Sequence, residues 1–242
     1  MRKLQATYFT AVAILIMIAS NSIILPASAA SSTLLRASTL VYLPLVITTP
    51  IDVIILSNHS AYVTAWGSLY IVGEVRNNTN VNLSDIKISA DLFNSRGQFL
   101  DSQSGYVYLE NLPAGRKACF EIIFLNAPSG WARYEFNAPA FSWSSASLPN
   151  LTLLFSRGAY DADSGEYTLE GQVRNDQGSQ VDCVRPVGTL YSSSGRVLGC
   201  KYSYVSSIYL NSGQVSAFEI QFYGRNYSDV YSHLVAVDGH SP

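Results

Sequence analysis

Charged side chains are scarce in this chain. Asp, Glu, Lys and Arg make up 13% of its 242 residues, about half of the usual ~25%. The formal net charge is −2, and the basic residues form no run. A surface that binds nucleic acid needs clustered Lys and Arg that release counterions from phosphates. We therefore expect no nucleic-acid partner.

Motifs that hold a metal, a phosphate or a catalytic nucleophile are also lacking. The three histidines, His59, His233 and His240, do not have the spacing of metal ligands. No Gly-rich phosphate loop occurs, and no G-x-S-x-G turn. We expect neither a cofactor nor a metal, and we interpret the chain as non-catalytic.

Long apolar runs are few, and one lies at the N-terminus. Arg2 and Lys3 precede an apolar stretch from about Ala6 to Ile18, and Ala27-Ser28-Ala29 has the small-x-small pattern of a cleavage site. Polar residues and Pro26 interrupt the stretch before it reaches the ~20 residues of a membrane span. We predict a cleaved signal peptide at residues 1–29, a linker at 30–50 and a secreted or cell-envelope location, with no transmembrane anchor after cleavage.

The sequence does contain an internal repeat. Gly73-Glu74-Val75-Arg76-Asn77 returns 98 positions later as Gly171-Gln172-Val173-Arg174-Asn175. Further segments return with the same offset: Leu92-Phe93 as Leu190-Tyr191, and Phe120-Glu121-Ile122 as Phe218-Glu219-Ile220. This interval is too long for a solenoid unit, and it matches one small β-sandwich of about 100 residues.

Both halves have the pattern of short strands. Apolar residues alternate in segments such as Ile86–Leu92 and Phe120–Phe124, and Gly, Pro and Asn separate the segments. No window shows a 3.6-residue apolar stripe. We predict an all-β chain of two tandem Ig-like antiparallel β-sandwich domains, at residues 51–148 and 149–242. The recurring residues should be core at Val75, Val173, Leu92, Leu190, Phe120 and Phe218, and turns with positive φ at Gly97, Gly195, Gly115 and Gly213.

The order of these segments resembles the FxLYD-type domain, an Ig-like fold of exported and envelope proteins of bacteria and archaea. The segments that carry the resemblance are Ala90-Asp91-Leu92-Phe93-Asn94 and Gly188-Thr189-Leu190-Tyr191-Ser192. Both lack the leading Phe and the closing Asp of the family's pattern. The resemblance covers nearly all of both repeats, and it implies an exported Ig-like fold without a general catalytic site.

The three cysteines are Cys119, Cys183 and Cys200. An exported chain can form disulfides. Cys183 and Cys200 both lie in the second repeat and flank the turn at Ser192–Gly195, whereas Cys119 has no partner in its own repeat. We predict a Cys183–Cys200 disulfide, with free thiols as the alternative.

Two pairs of charged residues recur together. Arg76 and Glu121 return as Arg174 and Glu219, each on the outward parity of its strand. We predict a cross-strand ion pair in each half, worth at most about 1 kcal/mol if exposed. The alternative is a charged binding patch.

One acidic segment, Asp161–Glu166, alternates oxygen-bearing side chains around a Gly, as part of a calcium loop does. The first repeat has Val63–Gly67 in the same place, without the acids. We therefore interpret the segment as a solvated hairpin turn.

Aromatic residues are the candidate binding surface. Tyr among Ser, Gly and Asn is the composition of adaptable binding loops, and Trp can stack on sugar rings. The candidates are Tyr202, Tyr209, Tyr223, Tyr227, Tyr231, Trp66, Trp131 and Trp143. The alternative is a structural role, because Tyr favours strands; Tyr106 recurs as Tyr204, which favours that role for this pair.

These features together predict a secreted or envelope-associated binding module without catalytic activity. Its partner would be an extracellular protein or a surface polysaccharide. Two alternatives remain, a carbohydrate-binding protein that uses exposed aromatic residues and a purely structural extracellular spacer.

Overall fold

The computed structural model describes residues 52–241 of the chain. The signal peptide and linker predicted at residues 1–50 lie outside the described residues. Within residues 52–241 no helix is long and apolar enough to cross a membrane.

The described residues form short and long β-strands joined by turns, and every ladder between them is antiparallel. The all-β sandwich prediction is confirmed. The strands are β1 (Val53–Ile55), β2 (Ser60–Val63), β3 (Leu69–Asn77), β4 (Asn82–Asn94), β5 (Phe99–Tyr106), β6 (Asn111–Leu112), β7 (Lys117–Phe124), β8 (Trp131–Phe136), β9 (Ala140–Ser144), β10 (Leu151–Tyr160), β11 (Tyr167–Asn175), β12 (Val181–Tyr191), β13 (Val197–Tyr202), β14 (Tyr209–Leu210), β15 (Val215–Phe222) and β16 (Ser232–His240).

Four sheets result from this pairing. Sheet A has β3 at its centre, with β1 and β2 on one side and β7 on the other. Sheet B has β4 at its centre, between β5 with β6 and β8 with β9. Sheet C has the order β10–β11–β15, and sheet D has β12 between β13 with β14 and β16. Strands before residue 148 therefore form sheets A and B, and later strands form sheets C and D.

An asparagine ends the equivalent strands β3 and β11. The Asn77 side-chain amide donates to the carbonyl oxygens of Val81 and Leu112, at 2.7 and 2.9 Å. The Asn175 amide makes the same two kinds of bond, at 2.8 Å each, to Ser179 and Leu210. Each Asn is fully buried, so these bonds satisfy its amide and fix the loop after the strand.

Each pair of sheets encloses an apolar core. Val75, Leu92 and Phe120 are buried between sheets A and B. Val173, Leu190 and Phe218 are buried between sheets C and D. The predicted core residues are therefore confirmed, and so are the predicted turn glycines, since Gly97, Gly195, Gly115 and Gly213 all have φ between 70° and 79°.

Sheets A and D also pack against each other, so the layers follow the order B, A, D, C. Val187 and Cys200 of sheet D belong to the same buried cluster as the core of sheets A and B. From sheet A, Val72 and Cys119 are buried toward sheet D. The two sandwiches are therefore in contact through sheets A and D, and we call this buried contact the junction.

The disulfide prediction is wrong. Cys119 of β7 pairs with Cys200 of β13 across the junction, with a Cα–Cα distance of 5.9 Å, which lies in the ordinary range for a disulfide. Cys183 is an exposed free thiol. The prediction considered pairs within one repeat, whereas the close approach of sheets A and D joins cysteines of different repeats.

Candidate functional site

The junction between sheets A and D contains two buried carboxylates. The first, Glu74 of β3, has a side chain that is 1% exposed. The Tyr191 hydroxyl donates to it at 2.6 Å, the Asn58 amide donates at 2.7 Å, and the Lys117 ammonium lies 2.9 Å away. Burial and the hydrogen bond to Glu74 raise the pKa of Tyr191. Because Tyr191 belongs to sheet D, the Glu74 carboxylate forms hydrogen bonds with residues of both sandwiches.

The second carboxylate, Glu121 of β7, has a side chain that is 2% exposed. The Lys201 ammonium of β13 donates to its Oε1 at 2.8 Å, and the Tyr108 hydroxyl donates to the same oxygen at 3.1 Å. Its Oε2 is buried, and no group within residues 52–241 forms a hydrogen bond to it. Burial raises the pKa of Glu121, and the attraction of Lys201 opposes this shift.

The predicted ion pairs are wrong in both halves. In the ladder between β3 and β7, Arg76 lies opposite Lys117, and Glu121 lies opposite Val72. In the second half, Arg174 instead pairs with Asp176, with 2.5 Å between nitrogen and oxygen. In the antiparallel register, Arg76 and Glu121 lie at different positions along the paired strands, so their side chains do not face each other. The spacing of these residues in the sequence does not give the register.

The Lys201 ammonium and three tyrosine rings pack together in the junction beside Glu121. The Lys201 ammonium lies 5.4 Å from the ring centre of Tyr70 and 5.7 Å from that of Tyr223. Tyr70 in turn stacks on Tyr62, with 5.3 Å between the ring centres. These contacts place Tyr223, one of the predicted binding residues, beside the junction with 51% of its surface exposed.

Tyr227 is not a surface residue, which contradicts its prediction as a binding residue. It is fully buried in the core between sheets C and D, and its ring lies edge-on to Phe222 at 5.9 Å. Its hydroxyl lies 3.5 Å from that of Tyr62, and burial raises its pKa to about 12. Its ring packs in the apolar cluster of the second half, and the Arg225 guanidinium lies 5.3 Å from the ring centre. Tyr227 is therefore a core residue.

The other predicted aromatic residues are dispersed. Trp131 is half-buried and packs against the first core, so only part of its surface is exposed. No ring contact within residues 52–241 joins any of the three tryptophans to a predicted tyrosine. The exposed members are Trp66, Trp143, Tyr202, Tyr209, Tyr223 and Tyr231.

A groove lies at the solvent-exposed edge of the junction, between side chains of the first sandwich and side chains of sheet D. We call it the junction groove. Its volume is about 510 Å³, and it is lined by Ser84, Asp85, Tyr106, Val107, Tyr108, Leu109, Glu110, Asn111, Arg185 and Tyr202. Tyr106 is 57% exposed and Tyr202 42% exposed. Tyr108 lies between the two halves and is edge-on to Tyr202 at 5.0 Å. The groove thus takes aromatic side chains from both sandwiches.

A glycine allows the chain to bring these tyrosines to the junction. A Cβ on Gly105 would lie 1.9 Å from the backbone oxygen of Glu121. Only glycine lets β5 pass this close to β7. Gly105 therefore positions both Tyr106 and Tyr108 beside the second sandwich.

The polar end of the junction groove is built around Arg185 of β12. Its Nη1 lies 3.1 Å from Glu110 and its Nη2 lies 3.4 Å from Asp238. The guanidinium also stacks over the Tyr202 ring at 4.9 Å. Glu110 is bonded to His240 as well. These contacts fix the face of Tyr202 that lines the groove.

Asp85 contributes a second carboxylate to the junction groove. It has a φ of 52° and lies where the register of β4 against β9 shifts. Asp tolerates this left-handed conformation better than most residues. The Ser84 hydroxyl donates to its carboxylate at 3.2 Å, and the exposed carboxylate retains capacity to accept further hydrogen bonds.

Sequence reasoning missed most of the junction groove. The recurrence of Tyr106 as Tyr204 favours a structural role, yet these side chains are 57% and 55% exposed. Arg185 has Lys87 at the equivalent position of the first repeat, and this recurring cation is a signal that the sequence does offer. The groove itself joins residues of different repeats, and only their packing brings them together.

The acidic segment Asp161–Glu166 forms a turn that uses its own oxygens. Asp161 accepts hydrogen bonds from the Asp163 backbone and the Ser164 hydroxyl, both at 2.9 Å. These bonds lower the pKa of Asp161. No group of three or more His, Cys, Asp and Glu in residues 52–241 could hold a metal ion.

No protein family model matches the chain, and no curated protein matches it in sequence. Solved structures with distant similarity include a Bacteroides uniformis β-glucuronidase, with 14% identity, 64% of this chain and 21% of that chain covered, and a TM-score of 0.26. They also include an Amycolatopsis orientalis exo-chitosanase, with 13% identity, 78% and 25% coverage, and a TM-score of 0.26. The chain thus spans about a quarter of these proteins. Similarity at this level says nothing about its activity.

Proposed function

We propose that this chain is a non-catalytic binding module that acts outside the cytoplasm, secreted or held at the cell envelope. Its partner is an extracellular protein or a surface polysaccharide. The proposal includes a signal peptide at residues 1–29 and a tandem repeat of FxLYD-type domains, which the sequence resembles.

The observation that carries the proposal is the junction groove. Exposed tyrosines on a rigid support offer large contact area at low entropic cost. Here Tyr106 comes from one sandwich and Tyr202 from the other, and the Cys119–Cys200 disulfide crosses the junction beneath them. A buried disulfide also fits a chain that folds in an oxidising compartment.

Carbohydrate binding is the second candidate, and the arrangement of rings around carboxylates in the junction groove favours it. A structural spacer is the third candidate. The rigid junction would serve a spacer equally well, so only a binding experiment separates these functions.

The test is capture of cell-surface material from the source cells on the immobilised, disulfide-bonded chain. We expect wild type and Tyr231→Ala to retain the same material and Tyr106→Ala to lose it, because Tyr106 lines the groove and Tyr231 does not. Both tyrosines are largely exposed, so both variants should fold. Protease treatment before elution separates protein partners from polysaccharides. Retention by none of the three proteins contradicts the proposal and favours the spacer. Equal retention by all three shows binding that does not depend on the junction groove and contradicts the groove as its site.

A further inference from the structure

Tyr106 is the most available ring of the junction groove. It is 57% exposed, and among the described residues no hydrogen bond, ion pair or ring contact engages it. Tyr202 presents a second ring, which the Arg185 guanidinium and the rings of Tyr108 and Tyr204 hold in place. The groove therefore offers aromatic surface that the fold itself does not use.

Hydrogen-bonding groups lie beside these rings. Asp85, Glu110 and Asn111 line the same groove and carry carboxylate or amide oxygens. A pyranose ring has C–H groups on its faces and hydroxyls around its rim. An aromatic face can stack on the C–H groups of the sugar. Carboxylate and amide oxygens beside that face can accept hydrogen bonds from its hydroxyls.

The charged groups in and around the groove leave an excess of one negative charge, with Asp85, Glu110 and Asp238 set against Arg185 and Lys87. Arg185 is neutralised by Glu110 and Asp238, so it has little capacity left for an anionic ligand. The negative Asp85 has a cation close by, because Lys87 is two residues away in β4 and lies opposite Tyr106 in the ladder. Three carboxylates against two cations disfavour an anionic ligand, and the single excess negative charge gives a cation little advantage over a neutral ligand.

We propose that the junction groove binds a neutral oligosaccharide, with a sugar ring stacked on Tyr106 and its hydroxyls bonded to Asp85 and Glu110. The volume of about 510 Å³ lies within the roughly 300–1,000 Å³ of small-ligand sites. This inference rests on the proposed binding function and narrows its partner to a carbohydrate. It assigns the contact to the groove tyrosines and not to the tryptophans.

Calorimetric titration of the disulfide-bonded chain tests the ligand class. The probes are cellotetraose and chitotetraose as neutral sugars, tetragalacturonate as an anion and a tetralysine peptide as a cation. We expect at least one neutral sugar to bind with a Kd of about 1 mM or tighter, and neither charged probe to bind comparably. Stronger binding of a charged probe, or no binding of either neutral sugar, overturns the inference.

Variants locate the contact. Tyr106→Ala should weaken binding of the neutral sugar about tenfold, which corresponds to about 1.4 kcal/mol. Asp85→Asn, which keeps a residue tolerant of positive φ, should weaken it about threefold or more, whereas Tyr231→Ala should leave it unchanged. Unchanged affinity in Tyr106→Ala shows that the sugar lies elsewhere.

The two proposals can fail separately. If surface material is captured through Tyr106 but no neutral sugar binds, the binding function stands and the carbohydrate assignment is wrong. If neither experiment shows binding that depends on Tyr106, both proposals are wrong.

Discussion

At the scale of single residues, burial decides which polar groups serve the fold. Glu121 and Glu219 occupy equivalent positions in the repeat. Glu121 is buried against Lys201 at the junction, and Glu219 lies on the exposed face of sheet C. The same residue type therefore has a strongly constrained environment in one half and a solvated one in the other.

The first prediction concerns the pH dependence of stability. Burial raises the folded-state pKa of Glu121 above its usual value of 4.5, so the folded state binds this proton more tightly than the unfolded state. The stability that this provides is present below pH 4.5 and is lost as the pH rises through the folded-state pKa. The free energy of unfolding of the wild type, relative to Glu121→Gln, should fall as the pH rises above 4.5.

Urea unfolding between about pH 4 and pH 8 measures this difference. Glu219→Gln is the matched control and should follow the wild type at every pH. A difference between wild type and Glu121→Gln that stays constant or rises with pH contradicts the assigned shift.

The second prediction separates the two tyrosines Tyr227 and Tyr231. Tyr227→Ala should lower the free energy of unfolding by about 3–5 kcal/mol, because it removes a fully buried ring from the second core. Tyr231→Ala should change it by less than about 0.5 kcal/mol, because this side chain is 77% exposed. Thermal unfolding of both variants checks the contrast, and similar melting temperatures would place Tyr227 at the surface.

At the scale of elements, the polarity of each sheet face decides which sheets meet. On sheet D, Val187, Thr189 and Cys200 are buried toward sheet A. The equivalent positions on sheet B are Ser89, Asp91 and Ser102, and the Ser102 hydroxyl bonds the Asp91 carboxylate at 2.6 Å on the exposed face.

The same contrast separates sheets A and C. Val72 of sheet A is fully buried toward sheet D, whereas its equivalent Glu170 pairs with Arg157 on the exposed face of sheet C. At Val72, Val187 and Cys200 the faces that meet are apolar, and the equivalent positions on the outermost faces are polar. The junction also encloses the buried carboxylates of Glu74 and Glu121.

The third prediction tests this contrast at one repeat position. Val187→Ser should lower the free energy of unfolding by about 2 kcal/mol, because it removes a buried Val side chain from the junction. Ser89→Val, the reverse exchange at the equivalent position, should change it by less than about 0.5 kcal/mol. Chemical unfolding of both variants measures these values. Equal effects would mean that sheets A and D do not pack against each other.

At the scale of the whole molecule, the junction makes one body of two sandwiches. Glu74 takes its hydrogen bonds from both halves, and Glu121 is bonded to Lys201 of the second. The Cys119–Cys200 disulfide closes a loop with a sequence separation of 81. These links fix the two halves of the junction groove relative to each other.

The fourth prediction concerns this disulfide. Cys119→Ser with Cys200→Ser should lower the free energy of unfolding by about 4 kcal/mol in the chain-entropy estimate for a loop of this length. Cys183→Ser should leave it unchanged, because that thiol is exposed and free. Peptide mapping without reduction identifies the pairing. A linked peptide that contains Cys183 would show that the junction is built differently.

Local sequence patterns are enough to predict the strands and the residues of the two cores. Alternating apolar residues, turn glycines and the final Asn of β3 and β11 act within a few positions of the chain, so Val75, Phe120 and Gly97 could be assigned correctly. The all-β sandwich followed from these local patterns.

Only the tertiary structure decided the disulfide, the ion pairs and the junction groove. Cys119 meets Cys200, Glu121 meets Lys201 and Tyr106 comes near Tyr202 because sheet A packs on sheet D. Such contacts depend on register and on which faces meet, and no local pattern carries that information. For the same reason Tyr227 and Tyr231, four positions apart in similar sequence, became a core residue and a surface residue.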